Sequence, residues 1–165
     1  MEQYISAIGQ DSHRFVDEGS CEKDKKLILA GVEIPEMPGL SGNSDADVVF
    51  HAITNAVSGI TCENIIGNLA DKMCSEGVTD SREYLEYAIN TLNGMEIVHI
   101  SISIECLKPK ITPYIDKFRK SIAKSTGLSE NSIGITATSG EGLTAFGQGL
   151  GVQAFCIITV RRLLP

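Results

Sequence analysis

Residues 97–105, IVHISISIE, alternate with a period of two. Val98, Ile100, Ile102 and Ile104 fall on one side, and His99, Ser101, Ser103 and Glu105 fall on the other. Successive side chains of a strand project to opposite faces, so this segment predicts a strand with one apolar and one more polar face. Helical patterns elsewhere supply apolar stripes. Ser44, Asp45 and Asp47 make a helix start, in which Ser44 can cap and the acids favour the positive end of the helix dipole. Val48, Ala52, Ala56 and Ile60 follow at helical spacing. A second helix starts at Asp80 and Ser81, shows Leu85, Ala88, Ile89 and Leu92 on one face, and stops at Asn93-Gly94. A third runs from Thr112, with Pro113 in its first turn, through Ile115, Phe118 and Ile122 to Gly127.

Residues 4–15 and 27–34 (LILAGVEI) read as strands joined by a charged loop, 17–26. Pro35, Pro38, Gly39 and Gly42 mark another loop. Residues 132–138 and 150–160 are the last strands, and between them Gly140, Gly142, Gly147 and Gly149 enrich a loop. The order β-β-α-α-β-α-β-β does not alternate strictly. It predicts an α+β fold, a single domain over 1–165 with a mixed β-sheet and helices packed on one face. A chain of 165 residues is long enough to bury a real core.

Several classes are disfavoured. No apolar run approaches the roughly 18 residues of a membrane span. The opening MEQYISAIGQDSHRF has no basic region and no small-residue cleavage site, so no secretion signal is expected. Five cysteines, at 21, 62, 74, 106 and 156, form no Cys-x-x-Cys, which argues against a disulfide framework or a cysteine zinc knuckle. Cys106 and Cys156 lie in apolar stretches and read as small core residues, in a reducing, cytoplasmic setting. The net charge of −7 disfavours nucleic acid as a partner. It does not exclude a phosphorylated small molecule, because a metal ion can supply positive charge locally.

The residues able to carry chemistry start with Asp11-Ser12-His13. Two residues apart on a strand, Asp11 and His13 share a side and can reach one ion. The other histidines are His51, on the first helix, and His99, on the more polar strand face and read as structural or exposed. Two histidines and a carboxylate would leave coordination positions open, as catalytic metal sites do. The Asp-x-His spacing alone is equally met by a histidine satisfied in the core or at the surface. Asp47, four residues before His51, either orients that imidazole or is a first-turn acid or cap. The segment 136–143, TATSGEGL, offers hydroxyls, backbone N–H groups and Glu141; it is either a phosphate and cation cradle or a flexible turn. It matches neither a P-loop nor a dinucleotide fingerprint. Lys110, after Lys108-Pro109, either meets an anion or sits in a solvated loop.

Together these pieces resemble the 2-C-methyl-D-erythritol 2,4-cyclodiphosphate synthase family of non-mevalonate isoprenoid biosynthesis. The resemblance rests on Ile8-Gly9-Gln10-Asp11-Ser12-His13-Arg14-Phe15, on 29–35 (LAGVEIP) and on Ser44-Asp45-Ala46-Asp47-Val48-Val49-Phe50-His51-Ala52. Asp80-Ser81-Arg82, Pro109-Lys110 and the loop at 137–143 extend it over nearly the whole chain. It implies zinc bound by Asp11, His13 and His51, with magnesium or manganese held on the substrate diphosphate by Glu141. It also implies a homotrimer with active sites between neighbouring subunits. The implied substrate is 4-diphosphocytidyl-2-C-methyl-D-erythritol 2-phosphate, whose 2-phosphate attacks the β-phosphorus and expels CMP. No protein nucleophile is needed, since the attack is intramolecular and two cations offset the repulsion between the phosphates.

The implied substrate contacts are Asp11, His13, Asn43, Ser44, Asn64, Ile65, Ile66 and Asp71 around the reacting part. Those around the nucleotide are Cys106, Leu107, Lys108, Pro109, Lys110, Ile111, Thr112, Ala137, Thr138, Ser139, Gly140 and Glu141. Asn43 and Ser139 stand at the positions closest to catalysis, and Ala145, Gln148 and Leu150 at the trimer-axis cavity. Some positions depart from the family pattern. Asn43 replaces a histidine and cannot carry charge; Asn55 replaces an aspartate. Residues 63–67, ENIIG, shift the register of a Gly-Asp-Ile-Gly segment, and Leu69-Ala70-Asp71 replaces Phe-Pro-Asp. Ser139 keeps the hydroxyl of a threonine. Gly147-Gln148-Gly149-Leu150-Gly151 lacks the usual arginine and glutamate, so no anion is expected in the axial cavity. These departures leave two alternatives: a divergent metal-dependent phosphotransfer enzyme acting on another cytidine ester, and a non-catalytic nucleotide-binding trimer.

Overall fold

The structure, a computed structural model, describes residues 1–164. In chain order its elements are β1 (Glu2–Arg14), β2 (Lys26–Leu29), β3 (Val32–Pro38), α1 (Val48–Thr61), α2 (Asn68–Ser75) and α3 (Ser81–Asn90). They continue with β4 (Glu96–Glu105), α4 (Ile115–Thr126), β5 (Ile133–Thr138) and β6 (Gly151–Leu163). The main sheet is mixed, in the order β1-β6-β4-β5. β1 and β6 pair antiparallel along their full length, from Glu2 opposite Leu163 to Arg14 opposite Gly151. β4 pairs antiparallel with β6 and parallel with β5. The fold is thus the expected α+β arrangement, with helices over the main sheet.

The alternation in β4 sets the two faces of that sheet. Ile100, Ile102 and Ile104 are buried beneath the helices, while His99, Ser101 and Ser103 are exposed. On the same outer face Tyr4, Ile8 and Ile157 are 57%, 63% and 48% exposed, so an apolar strip there is left without a cover from this chain. α1 is the central cover, lying across β1 and β6 with Val49, Phe50, Ala52, Ile53, Ala56 and Val57 fully buried. It comes unusually close to β1 because residue 9 is glycine. A Cβ at Gly9 would stand 2.0 Å from the Ala52 carbonyl oxygen and 2.3 Å from the Ala56 nitrogen.

Two expectations are corrected. Residues 27–34 are not one strand but the hairpin β2–β3, turning at Ala30 (φ 52°) and Gly31 (φ 69°). Both turn residues are left-handed, the geometry of the tight hairpin turns that match strand twist. Ala30 is a poor choice for it, and the turn is held from outside: the Asp47 carboxylate accepts the N–H groups of Ala30 (2.9 Å) and Gly31 (2.6 Å). Second, Asp47 rather than Ser44 caps α1, accepting from Val49 (3.0 Å) and Phe50 (3.2 Å). One buried carboxylate therefore ties the hairpin to the start of α1. Burial, with Asp45 nearby, pushes its pKa up to about 6 against the pull of those N–H groups. The short helix α2 was not expected from the sequence.

Candidate metal centre

Asp11 and His13 lie on the inner side of β1, two residues apart as the strand period requires. Gly9 lies two residues earlier on the same side and lets α1 settle against the strand. That contact lowers His51, one residue before Ala52, onto Asp11. The Asp11 Oδ2 atom stands 2.9 Å from His51 Nδ1 and 3.2 Å from His13 Nε2. One donor atom from each residue falls within a sphere where all lie within 4.8 Å of one another, a candidate metal site. His51 is buried; Asp11 and His13 are half-buried.

Burial opposes ionisation of Asp11, but hydrogen bonds from His13 and His51 hold its carboxyl well below the usual carboxylate range. The bond to Asp11 pushes His13 up, against burial. In the metal-free protein this pairing adds stability that is fully present below the ordinary histidine pKa and is lost as pH rises through the raised one. A cation must displace that proton, whereas Asp11 stays ionised throughout. Metal affinity is therefore expected to weaken on acidification by at least about tenfold per pH unit below the raised His13 pKa, at least one proton being released per ion. Titration with a divalent cation between pH 5.5 and 8 checks this; a flat profile would remove His13 from the ligand set.

The ligands open into a cleft of about 310 Å³ lined by Asn43, Ser44, Ile66, Gly67, Ala70, Asp71, Cys74 and Tyr84. Asn43, Ser44, Ile66 and Asp71 thus line one cleft with the three candidate metal ligands. Asn43 Nδ2 donates weakly to Asp71 Oδ1 (3.4 Å), and its carbonyl accepts from Cys74 Sγ (3.1 Å). Two expected contacts do not reach the cleft. Ile65 is packed in the core, and Asn64 is exposed away from the lining. Of the three neighbours 64–66, only Ile66 lines the cleft.

Cys106, Leu107, Pro109, Lys110, Ile111, Thr112, Ala137, Thr138 and Ser139 line a separate cleft of about 230 Å³ at the adjacent ends of β4 and β5. Lys108, joined to Pro109 by a cis peptide, lies outside its lining. Gly140 and Glu141 follow in a short 3₁₀ turn, with Glu141 exposed and left-handed (φ 50°). Ala145, Gln148 and Leu150 are exposed on the turn before β6. The two clefts share no lining residue.

Asp47 makes no hydrogen bond to the His51 ring; of its two readings the capping one holds. The atom that does face His51 Nε2 is Ser81 Oγ, at 2.8 Å, and Ser81 in turn bonds Asp45. Sequence reasoning used Ser81 and Asp45 as helix-start residues and as parts of the family motifs, without a role at His51. Nothing in their spacing to His51 signals the contact, because it forms between α1 and the first turn of α3.

A family model described as the YgbB family matches residues 4–161. The 2-C-methyl-D-erythritol 2,4-cyclodiphosphate synthase of Chlamydia felis is 49% identical over 159 residues, which cover 95% of this chain and 89% of the relative. The enzyme of the same name from Chlamydia trachomatis serovar L2b is 49% identical, covering 95% and 88%. A solved 2C-methyl-D-erythritol-2,4-cyclodiphosphate synthase in a CDP-bound form superimposes with a TM-score of 0.81 at 27% identity, over 94% of this chain and 99% of that one. The bifunctional IspDF from Campylobacter jejuni matches with a TM-score of 0.87 at 26% identity, over 99% of this chain. This chain spans only 43% of the length of that bifunctional protein.

Proposed function

Since the chain belongs to the YgbB family, we propose that Asp11, His13 and His51 hold the divalent cation at which it forms 2-C-methyl-D-erythritol 2,4-cyclodiphosphate. The chain is a phosphorus–oxygen lyase of isoprenoid biosynthesis that releases CMP. The observation that carries the site assignment is the convergence of two histidine nitrogens on Asp11 Oδ2, three donor atoms in all. Two imidazoles and one carboxylate suit zinc and leave coordination open for a phosphate oxygen. Bound there, zinc supplies a Lewis acid that stabilises charge developing on phosphate oxygens.

The chain's own residues bind and orient. Asn43 and Ser44 offer donors to the methylerythritol 2-phosphate, Asp71 accepts from a hydroxyl of the carbon skeleton, and Ile66, with Ala70, offers apolar contact to that skeleton. The cleft at 106–112 and 137–139 receives cytidine: backbone groups read the base edge and the hydroxyls of Thr138 and Ser139 meet the phosphates. Glu141, with Gly140 beside it, holds magnesium or manganese on the diphosphate. Holding both ends of one molecule makes the attack intramolecular, which removes much of the entropic barrier. Ser139 steadies the leaving phosphate, and Asn43 donates to the attacking one.

The separation of the two clefts and the uncovered strip of Tyr4, Ile8 and Ile157 support a homotrimer in which a neighbouring subunit completes each site. No helix among the described residues is long and apolar enough to cross a membrane. Five free thiols support a reducing, cytoplasmic setting. The function is tested by phosphorus NMR of the purified protein given the cytidine diphosphate substrate with zinc and magnesium. Stoichiometric CMP and a cyclic diphosphate are expected; nucleotide binding without CMP release contradicts the reading. For Glu141→Gln, activity is expected to need about tenfold more magnesium while bound zinc stays unchanged, because one of the hard oxygen ligands loses its charge. A magnesium titration that overlays the parent's would remove Glu141 from the site.

A further inference from the structure

We infer that Ser81 and Asp45 are positioning residues for the metal centre: they form a relay that holds the His51 ring with Nδ1 turned to the cation. The inference rests on the metal reading above. His51 Nδ1 faces Asp11 at 2.9 Å, and Nε2 faces Ser81 Oγ at 2.8 Å. Ser81 Oγ in turn lies in close contact with Asp45 Oδ1, and the Ser81 N–H donates to Asp45 Oδ2 at 3.2 Å. Ser81 is fully buried and His51 nearly so, which shields these bonds from water.

The proton count selects one direction. A serine hydroxyl has one hydrogen, and a carboxylate has none to give. Asp45 therefore takes the Ser81 hydrogen, and Ser81 Oγ is left to accept. The His51 nitrogen facing it must be the N–H, and the Nδ1 lone pair is free for the cation. The reverse arrangement would set Ser81 Oγ and Asp45 Oδ1 against each other with no proton between them. The relay is itself anchored. The Asp45 N–H donates to the Thr79 carbonyl (2.9 Å), and the Asp47 N–H donates to Asp45 Oδ1 (3.2 Å). The loop before α1 and the first turn of α3 are thus locked onto the outer edge of the ring. Partners of this kind fix the orientation and basicity of a ligating imidazole, and their loss costs about 10- to 100-fold in metal affinity.

The test uses the full chain, with zinc affinity read by competition against a chromophoric chelator and folding checked by thermal unfolding. Ser81→Ala is expected to bind zinc about 10- to 100-fold more weakly while remaining folded. Asp45→Ala should show the same loss, and Asp45→Asn should recover most of it, because the amide oxygen still accepts the serine hydrogen. In nitrogen-15 NMR of the zinc-loaded parent, the His51 Nε2 proton should exchange slowly with water, and that protection should vanish in Ser81→Ala. Unchanged zinc affinity in Ser81→Ala, or equal losses in Asp45→Ala and Asp45→Asn, overturns the relay. A parent chain that binds no zinc overturns the metal reading itself, which separates the two failures. Should Ser81→Ala fail to fold, the Asp45 pair and the parent's Nε2 signal decide alone.

Discussion

Replacing His51 with alanine should abolish stoichiometric zinc and reduce CMP release by about a thousandfold or more, the several kcal/mol that a Lewis acid supplies to developing phosphate charge. The protein should remain folded. His51 supplies one of three donors gathered around Asp11 Oδ2, and the remaining pair, Asp11 and His13, cannot enclose an ion. The structural cost is smaller. Removing the ring empties a buried space and leaves Ser81 Oγ without one partner, a loss of about 1–3 kcal/mol. Zinc analysis of the purified variant separates the effects: a native unfolding transition with no bound zinc is the expected result. Full zinc occupancy with lost turnover would place His51 outside the ligand set.

Gly9→Ala should damage both the fold and the site. The added methyl would meet the Ala52 carbonyl oxygen at 2.0 Å, the Ala56 nitrogen at 2.3 Å and the Ala56 Cα at 2.9 Å, all of them backbone atoms of α1. A side chain could rotate away, but a helix backbone has to move as a body. Overpacking of this kind costs roughly 1–3 kcal/mol where side chains yield, and the cost here should reach at least the top of that range. For a domain of this size that lowers the melting temperature by about 10 °C. The same retreat lifts His51 away from Asp11, so zinc affinity should fall together with stability. Gly134→Ala is the control. Its Cβ would come no nearer than 3.9 Å to another atom, the Ile100 carbonyl oxygen, so it should change neither quantity. A Gly9→Ala protein with parental melting temperature and zinc affinity would show that close approach is not what seats the helix.

The elements that sequence reasoning recovered are those whose period is long and clean. β4 alternates cleanly from His99 to Glu105, and the apolar stripes of α1 and α4 repeat at helical spacing, with Gly127 closing α4. The hairpin β2–β3 escaped because its turn is Ala30-Gly31. Local chemistry gives no reason for alanine to adopt a left-handed φ, and the support comes from Asp47, 17 residues on in the chain. α2 escaped because it is eight residues long, buries only Ala70 and starts at Gly67 without a side-chain cap.

The site divides in the same way. Asp11 and His13 were legible as a pair because strand period joins them, while His51 entered as the third ligand through the family resemblance, since spacing alone left the metal reading open. For Asp47 the sequence left two readings open, a partner of His51 on a shared helix face or a first-turn acid or cap, and the fold takes the cap. At the N-cap a carboxylate instead turns back onto the free N–H groups of the first turn. Ser81 was invisible as a partner of His51, since the two meet only when α1 and α3 pack, 30 residues apart. The one-residue shift in 63–67 could be seen in the sequence, but only the fold shows that Ile66 lines the cleft while Ile65 packs in the core.

The most direct test of the metal centre is a crystal grown with zinc and measured on both sides of the zinc absorption edge. The account predicts one anomalous peak per chain, about 2.0–2.2 Å from Asp11 Oδ2, His13 Nε2 and His51 Nδ1 together. A zinc peak held by other residues, or no peak at these three atoms in a fully folded protein, would contradict it.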